Sequence, residues 1–235
     1  MGKIITIKVD DANDMAAYMA MPQGKGPFPA IIVFQEAFGV NNHIKNVTDR
    51  LAAEGYIAIA PELFHRTAPV GFQADYSNFQ EVQQHYAVLT NSLLEDDIIG
   101  AYNYVVRSEH VIKDKIACIG FCLGGKVSFL ANSILPLSAA ISFYGGGTHL
   151  LVDRALNLQA DHLFFWGGKD HHIKPEHIQT ILDAMNHAGK NYINSVISYA
   201  EHGFFCNERP AYHPLAAQEA WGMVLAFLKN RLTID

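Results

Sequence analysis

The hexapeptide Gly120-Phe121-Cys122-Leu123-Gly124-Gly125 decides the fold of this chain. An apolar run that ends at Ile119 precedes it, and residues with the apolar spacing of a helix follow it. A cysteine with a glycine two residues before it and another two residues after it, G-x-C-x-G, is typical of a nucleophile elbow. Such a turn needs small residues because it brings neighbouring backbone segments very close together. The stretch therefore predicts a strand, a sharp turn that carries Cys122, and a helix.

The predicted turn gives Cys122 two features of a nucleophile. It aims the thiol out of the sheet and places it near a helix N-terminus, whose dipole favours the thiolate over the thiol. It also positions the backbone N–H of Leu123 as one donor of an oxyanion hole. A second interpretation stays open at this point, because a buried cysteine in a glycine-rich turn is often only a small hydrophobic residue.

Acyl transfer also requires a base and a group that orients it, and on this type of sheet the acid precedes the histidine. The apolar run Leu163–Trp166 is followed by Gly167-Gly168-Lys169-Asp170, which places Asp170 on a loop. The run over 192–199 is followed by a loop that contains His202. The order Cys122, Asp170, His202 is the one expected of a catalytic triad.

Other acids and histidines are weaker candidates. The chain has twelve histidines; His171 and His172 are adjacent in sequence, a spacing that suits no metal pair, so we interpret them as loop residues. Asp153 is the rival orienting acid, but it follows a strand that is less clearly predicted. We expect no metal and no cofactor.

A further group of candidates follows the apolar run over 31–34. Glu36 should lie at the carboxyl edge of the sheet and could hold a nearby thiol, although an ordinary loop glutamate is an equal alternative. The N–H of Ala37 is the natural second oxyanion donor. An apolar pocket would form if the phenylalanines that flank these loops converge, although each can instead be a core residue: Phe38, Phe121, Phe204 and Phe205. Cys118 and Cys206 lie outside any elbow and are expected to be bystanders.

The pattern along the chain predicts one α/β domain over residues 1–235. An N-terminal hairpin turns at residues 10–14, and short apolar runs then alternate with helical patterns, which gives a mostly parallel sheet with helices on both faces. Ligands of such sheets bind at the carboxyl ends of the strands. Strands are predicted over 3–9, 15–21, 30–34, 56–60, 115–120, 139–144, 163–166 and 192–199. Helices are predicted before Gly55, over 79–106 with a break near Asn91, and after residues 124, 174 and 214.

The composition excludes several classes of protein. Half of the 235 residues are hydrophobic, which is far from the composition of a disordered chain. The formal charge is -6 and no stretch clusters Lys or Arg, so nucleic acid is not an expected partner. No apolar stretch approaches the ~20 residues of a bilayer span. The N-terminal residues lack a signal-peptide pattern and three cysteines are too few for a disulfide framework, so we expect a cytoplasmic protein.

Taken together, these motifs resemble the dienelactone hydrolase family of the α/β-hydrolase superfamily. The resemblance extends from Ala30 to Leu228 and rests on four motifs in the same order: Gln35–Asn41, Gly120–Gly125, Gly167–Asp170 and His202–Phe204. It implies hydrolysis of a small lactone or ester, with Cys122 as nucleophile, His202 as base and Asp170 as the residue that orients it. It also implies that the carboxylate of Glu36 holds the resting thiol until substrate displaces it.

The chain departs from the family at the residues that recognise the substrate. Dienelactone-specific members place an arginine shortly after the histidine to bind the substrate carboxylate, whereas this chain has Cys206 there. Arg209 is a possible substitute. A second family arginine is replaced by glutamines in the stretch 79–86, where Tyr86 matches a family tyrosine at the pocket. Preference for a carboxylated substrate, the pathway and the oligomeric state therefore stay open.

Two other functions are compatible with the motifs. A non-catalytic binding protein could keep the pocket without productive geometry, which the altered arginine positions would fit. Cys122 could alternatively be a redox switch, although no resolving cysteine lies at short spacing.

Overall fold

The computed structural model describes residues 2–9 and 13–233, so most of the predicted turn at 10–14 lies outside the described residues. In the described part of the chain the strands are β1 Lys3–Lys8, β2 Asp14–Ala20, β3 Phe28–Phe34, β4 Ile57–Pro61, β5 Val111–Phe121, β6 Ala139–Phe143, β7 His162–Gly167 and β8 Tyr192–Ile197. The α-helices are α1 Asn42–Ala53, α2 Phe79–Tyr86, α3 Asn91–Val106, α4 Leu123–Ile134, α5 Pro175–His187 and α6 Pro214–Leu232. The prediction of an alternating α/β chain is confirmed.

The chain forms two compact units that divide in sequence between Ile116 and Ala117. In the first unit the strand order is β1-β2-β4-β3. The hairpin strands β1 and β2 are antiparallel, as predicted, and β3 pairs with β4 in parallel. Both β3 and β4 are almost entirely buried, which explains their continuous apolar sequences.

Local side chains set the helix limits in the first unit. Asn41 caps α1 by accepting a hydrogen bond from the N–H of Ile44. Thr90 caps α3 in the same way, accepting from the N–H of Leu93. The predicted break near Asn91 is therefore confirmed, and its cause is a new N-cap inside a long apolar-periodic stretch.

In the second unit β5, β6, β7 and β8 pair in parallel in that order. Strands β6 and β7 are fully buried. Because the strands are parallel, the loops that follow them lie at one edge of this sheet. Those loops carry the elbow and both predicted triad partners.

Two elements differ from the sequence prediction by more than a residue or two at their ends. Strand β5 begins at Val111, before the predicted start at Lys115. The prediction missed its first residues because they include charged, exposed side chains and so form no apolar run. A 3₁₀ helix over Thr148–Asn157 was not predicted, although its buried residues Thr148, Leu151 and Ala155 have the spacing of a helix. Among the described residues, no helix combines the length and the hydrophobicity needed to cross a membrane.

Whether the whole chain folds as one domain stays a prediction.

Candidate active site

The elbow predicted at Cys122 is present as a sharp turn between β5 and α4. Cys122 has φ 53° and ψ −112°, which places a non-glycine residue at positive φ. A Cβ added to Gly120 would lie 1.9 Å from the carbonyl oxygen of Gly124. Gly120 is thus required by the close approach of the Gly124 backbone, as the sequence pattern predicts.

The three predicted triad side chains meet at this turn. His202 Nε2 lies 3.3 Å from Cys122 Sγ, and His202 Nδ1 lies 2.7 Å from Asp170 Oδ2. The side chains of His202 and Asp170 are only 10% and 2% exposed, so this hydrogen bond is shielded from water. Cys122 itself is partly exposed, unlike the buried Cys118 and Cys206.

Backbone hydrogen bonds tie the loops of Asp170 and His202 to each other. Gly168 N–H donates to Ile197 O, and Lys169 N–H donates to Ala200 O, both at 2.8 Å. The loop after β7 is therefore fixed to the loop after β8. Because both loops are held, the distance between Asp170 and His202 depends on the sheet and not on two freely moving segments.

The carboxylate of Asp170 is held in place by its own loop. Its Oδ1 accepts hydrogen bonds from the backbone N–H of His172 at 2.7 Å and of Ile173 at 3.1 Å, which leaves Oδ2 for His202. Burial alone would raise the pKa of Asp170, but the hydrogen bond and charge of His202 and the two backbone N–H groups lower it below its ordinary value. Asp170 is consequently a carboxylate at neutral pH.

The same contacts act on His202 in the opposite direction. Burial alone would lower its pKa, but hydrogen bonds to Asp170 and Cys122, together with Coulomb attraction to both, raise the pKa to about 10. The attractive contacts outweigh the cost of burying the charge. His202 is therefore an imidazolium at neutral pH, hydrogen-bonded to a sulfur on one side and a carboxylate on the other.

The start of α4 supplies a donor beside the sulfur. Leu123 is the first residue of this helix, and the N–H groups of a first helical turn have no partner within the helix. Such N–H groups stabilise negative charge. An oxygen that becomes negative next to Cys122 would find this donor.

In the first unit, the predicted site residues Glu36, Ala37 and Phe38 lie in the segment that follows β3. Glu36 is fully buried, and its neighbour Gln35 accepts a hydrogen bond from Leu63 N–H at 3.0 Å. Ala37 and Phe38 belong to a buried apolar cluster against which Tyr76 packs, with the rings of Phe38 and Tyr76 4.6 Å apart.

Tyr86 lies on α2 and is 39% exposed, with its ring 6.5 Å from that of Phe79.

The phenylalanine that ends β5 and those that follow β8 converge in the second unit. Phe121 stacks on Phe205 at 5.4 Å, and Phe204 and Phe205 both pack against Phe143. Phe121 and Phe204 are fully buried, so they form core under the site; a contact of either with substrate stays a prediction.

Arg209 lies beside the histidine loop. A Cβ added to Gly203 would be 2.5 Å from Arg209 Nη1, so the guanidinium packs on the residue that directly follows His202. A positively charged side chain therefore lies next to the loop that carries the base.

Of the rival residues, His172 contacts this arrangement, with its ring centroid 5.1 Å from that of His202. Asp153 is 75% exposed on the 3₁₀ helix and faces Arg154. His171 and His172 are exposed, and no group of three potential metal ligands occurs among the described residues. Cys118 is fully buried, and burial raises the pKa of its thiol to about 12, which makes it a poor nucleophile. Cys206 is buried as well.

One residue at the site was missed by the sequence analysis. Tyr144 was counted as the last residue of an apolar strand, whereas it follows β6 and its ring centroid lies 5.0 Å from that of His202. Its position just beyond an apolar run is the signal that could have singled it out, because ligand-binding and catalytic residues of such sheets lie at strand ends.

A mostly parallel sheet with an elbow at one strand end and a histidine and an acid on later loops defines an α/β-hydrolase. A crystal structure from Klebsiella pneumoniae described as "Putative Dienelactone Hydrolase" superimposes with a TM-score of 0.86 and 30% identity, covering 97% of this chain and 98% of that one. The chain belongs to the dienelactone hydrolase family, whose model matches residues 15–232.

Two relatives from bacteria agree with this assignment. A Yersinia pestis protein named "Putative carboxymethylenebutenolidase" is 37% identical over 91% of this chain and 82% of its own length. A Synechocystis protein of the same name is 32% identical over 98% of both chains. The protein is accordingly an enzyme that hydrolyses esters or lactones.

Proposed function

We propose that the protein hydrolyses a small lactone or ester through a thioester formed on Cys122. The observation that carries this proposal is the pair of hydrogen bonds made by His202, 3.3 Å to the sulfur and 2.7 Å to Asp170. That arrangement supplies a nucleophile, a proton carrier and a group that orients it.

The first half of the reaction uses the thiolate–imidazolium pair. The sulfur of Cys122 attacks the carbonyl carbon, and the carbonyl oxygen becomes an oxyanion beside the N–H of Leu123. We retain the N–H of Ala37 as the second donor, on the basis of the family motif. When the tetrahedral intermediate collapses, the carbon–oxygen bond breaks and the imidazolium of His202 donates its proton to the leaving oxygen. A thioester and a neutral imidazole remain.

The second half releases the acid. A water molecule attacks the thioester while the neutral imidazole of His202 accepts its proton. The carbon–sulfur bond then breaks, which restores the thiolate and the imidazolium. Thiol chemistry suits leaving groups such as enols and alcohols better than amines, because it demands less protonation of the leaving group. Esters, lactones and thioesters are therefore the expected substrates.

Glu36 belongs to the proposed cycle through the family resemblance. Glu36 is fully buried and lies two residues after β3, as the motif Gln35–Asn41 requires. We propose that it holds the thiol of the resting enzyme and releases it when substrate binds.

The proposed substrate is a small lactone or ester. Phe38, Phe121, Phe204 and Tyr86 are the proposed apolar contacts. Arg209 is the proposed partner of any substrate carboxylate, since its guanidinium packs against the residue after His202.

A variant of Cys122 tests the nucleophile. Cys122→Ala should lower kcat for 4-nitrophenyl acetate by at least about 10³-fold, because removing the nucleophile of a triad abolishes covalent catalysis. Cys118→Ala is the matched control. Because the Cys118 thiol is fully buried, its removal should leave turnover close to that of the unmodified enzyme. Mass spectrometry of quenched enzyme should find the acetyl group on Cys122. Retained turnover in Cys122→Ala, or acetylation elsewhere, would refute the proposal.

A second variant tests how the substrate is recognised. Arg209→Gln should raise KM for carboxylated lactones and have a much smaller effect on KM for neutral ones, because only the former present a charge to the guanidinium. An equal rise in KM for both classes would show that Arg209 acts by packing on the histidine loop. The measurement is steady-state kinetics on paired substrates of equal size.

A further inference from the structure

Tyr144 has an unfavourable backbone conformation that calls for an explanation. Its φ is 38°, and among the described residues the other non-glycine residue at positive φ is Cys122. A bulky side chain is rarely found in this region, and such strain persists where the surrounding structure imposes it, often at functional sites.

Hydrogen bonds from neighbouring strand ends impose this conformation. The N–H of Tyr144 donates to Phe165 O at 2.8 Å, and the carbonyl of the preceding Phe143 accepts from the N–H of Cys122 at 3.0 Å. The peptide between residues 143 and 144 is thus joined to the elbow on one side and to β7, which leads to Asp170, on the other. Tyr144 lies between the two chain segments that supply the partners of His202.

The tyrosine ring is placed against the base itself. Tyr144 is fully buried, and its ring meets that of His202 at a centroid distance of 5.0 Å and an angle of 57°. It also packs edge-on against Phe204, two residues after His202, at 5.5 Å. The ring therefore packs against both the imidazole of His202 and the side chain of Phe204 on the same loop.

We propose that Tyr144 is a positioning residue that holds the His202 imidazole in line between Asp170 and Cys122. The inference rests on the proposed function, since it assigns Tyr144 a part in the same reaction. An imidazole that serves two partners must keep one orientation, and a wall of packed ring atoms restricts its rotation out of that plane. Rotation would break the 3.3 Å contact to sulfur first, because the 2.7 Å hydrogen bond to the carboxylate is shorter and charge-assisted.

Removing the ring should therefore affect the chemical step more than substrate binding. Tyr144→Leu is expected to lower kcat for 4-nitrophenyl acetate by about 10²-fold, the usual cost of misplacing a catalytic group, while KM changes by less than about threefold. Tyr144→Phe, which keeps the ring and removes the hydroxyl, should restore kcat to within about threefold. Alkylation of Cys122 by iodoacetamide at pH 7 should slow in Tyr144→Leu, because the sulfur loses its imidazolium partner.

A matched control separates positioning from general loss of packing. Phe129→Leu removes another buried ring of the same unit, which packs against His162 at 5.7 Å instead of against His202. It should lower thermal stability without lowering kcat or the alkylation rate. If Tyr144→Leu yields no folded protein, Tyr144→Asn takes its place, since asparagine tolerates positive φ better than leucine.

The outcomes distinguish the two proposals. The positioning role is overturned if the ring-deleted variant keeps its kcat, if Tyr144→Phe loses as much activity as the ring-deleted variant, or if Phe129→Leu loses activity equally. Retained turnover in Cys122→Ala would instead overturn the proposed function, whatever the Tyr144 variants show.

Discussion

Asp170 helps to keep His202 positively charged, although burial of the imidazole favours its neutral form. Burial favours a neutral imidazole, yet the carboxylate at 2.7 Å and the sulfur at 3.3 Å raise the pKa of His202 to about 10. The proposed reaction needs this imidazolium as the proton donor to the leaving oxygen. Activity should therefore persist into alkaline solution and decline only as the pH passes the pKa of His202.

Replacing this carboxylate should change the pH profile as well as the rate. Asp170→Asn removes a hydrogen bond and a negative charge that raise the pKa of His202, so the alkaline limb of kcat/KM should move to lower pH. The maximal rate should fall by about 10²–10⁴-fold, as expected for loss of the orienting acid of a triad. The measurement is kcat/KM for an alkyl ester, whose leaving oxygen needs a proton, between pH 6 and about pH 11.

Asp153→Asn is the control for this variant, because it removes a carboxylate that is 75% exposed and faces Arg154. Its pH profile should match that of the unmodified enzyme. An alkaline limb that stays in place in Asp170→Asn would contradict the assignment of Asp170 as the partner of His202.

At the scale of elements, the elbow depends on two backbone segments that leave no room for a side chain. The strand β5 and the helix α4 approach so closely that Gly120 and the carbonyl of Gly124 are in contact. The same elements place Cys122 at the helix N-terminus and pair its N–H with Phe143 O. Stability and nucleophile geometry are therefore set by one structural feature.

The substitution Gly120→Ala should consequently damage both. Its methyl group would lie 1.9 Å from a backbone carbonyl oxygen, so the free energy of unfolding should fall by about 3 kcal/mol or more, and activity should be lost with it. Urea unfolding followed by circular dichroism would measure the change.

The control here is Gly222→Ala, at an exposed position of α6 where an added Cβ would meet no other atom within 4 Å. It should stabilise the protein by up to about 1 kcal/mol, since alanine is a better helix former than glycine. A Gly120→Ala protein as stable as Gly222→Ala would show that the close approach at the elbow is not required.

At the scale of the whole molecule, stability should depend on a histidine that plays no part in the proposed reaction. His162 on β7 is fully buried, with its ring nitrogens 2.8 Å from Ser142 Oγ and 3.3 Å from Asn132 Nδ2. Burial lowers the pKa of His162 to about 3. Between pH 6.5 and pH 3 the unfolded chain therefore binds a proton at this residue that the folded chain does not.

Acid should accordingly destabilise the fold before most carboxylates titrate. This one residue should reduce the free energy of unfolding by about 2 kcal/mol between pH 6.5 and pH 5, from about 1.4 kcal/mol per pH unit. His162→Gln should remove that dependence, whatever its own cost at neutral pH, and His187→Gln on the exposed face of α5 should not. The raised pKa of His202 has the opposite effect on the pH dependence of stability, and this effect is the same in the unmodified protein and in both variants. The free energy of unfolding is measured by urea unfolding at both pH values. An equal change in this free energy for the unmodified protein and for His162→Gln would contradict the prediction.

The sequence by itself determined the local features of this protein. The alternation of apolar runs and helical patterns predicted the strands and helices, since burial on both faces requires continuous apolar residues. The glycines around Cys122 predicted the elbow, because backbone crowding in a tight turn acts over a few residues. The order of Cys122, Asp170 and His202 predicted which loops to compare.

Contacts between residues far apart in the chain were decided only by the tertiary structure. His202 and Cys122 are 80 positions apart, and their 3.3 Å contact depends on how parallel strands pair and where their loops are tied. The charge of His202, the burial of Phe121 and the contact of Tyr144 with the base follow from that same packing. The amino-acid sequence alone does not give these properties. The distance between two side chains, their burial and their pKa values depend on the groups that the fold places around them.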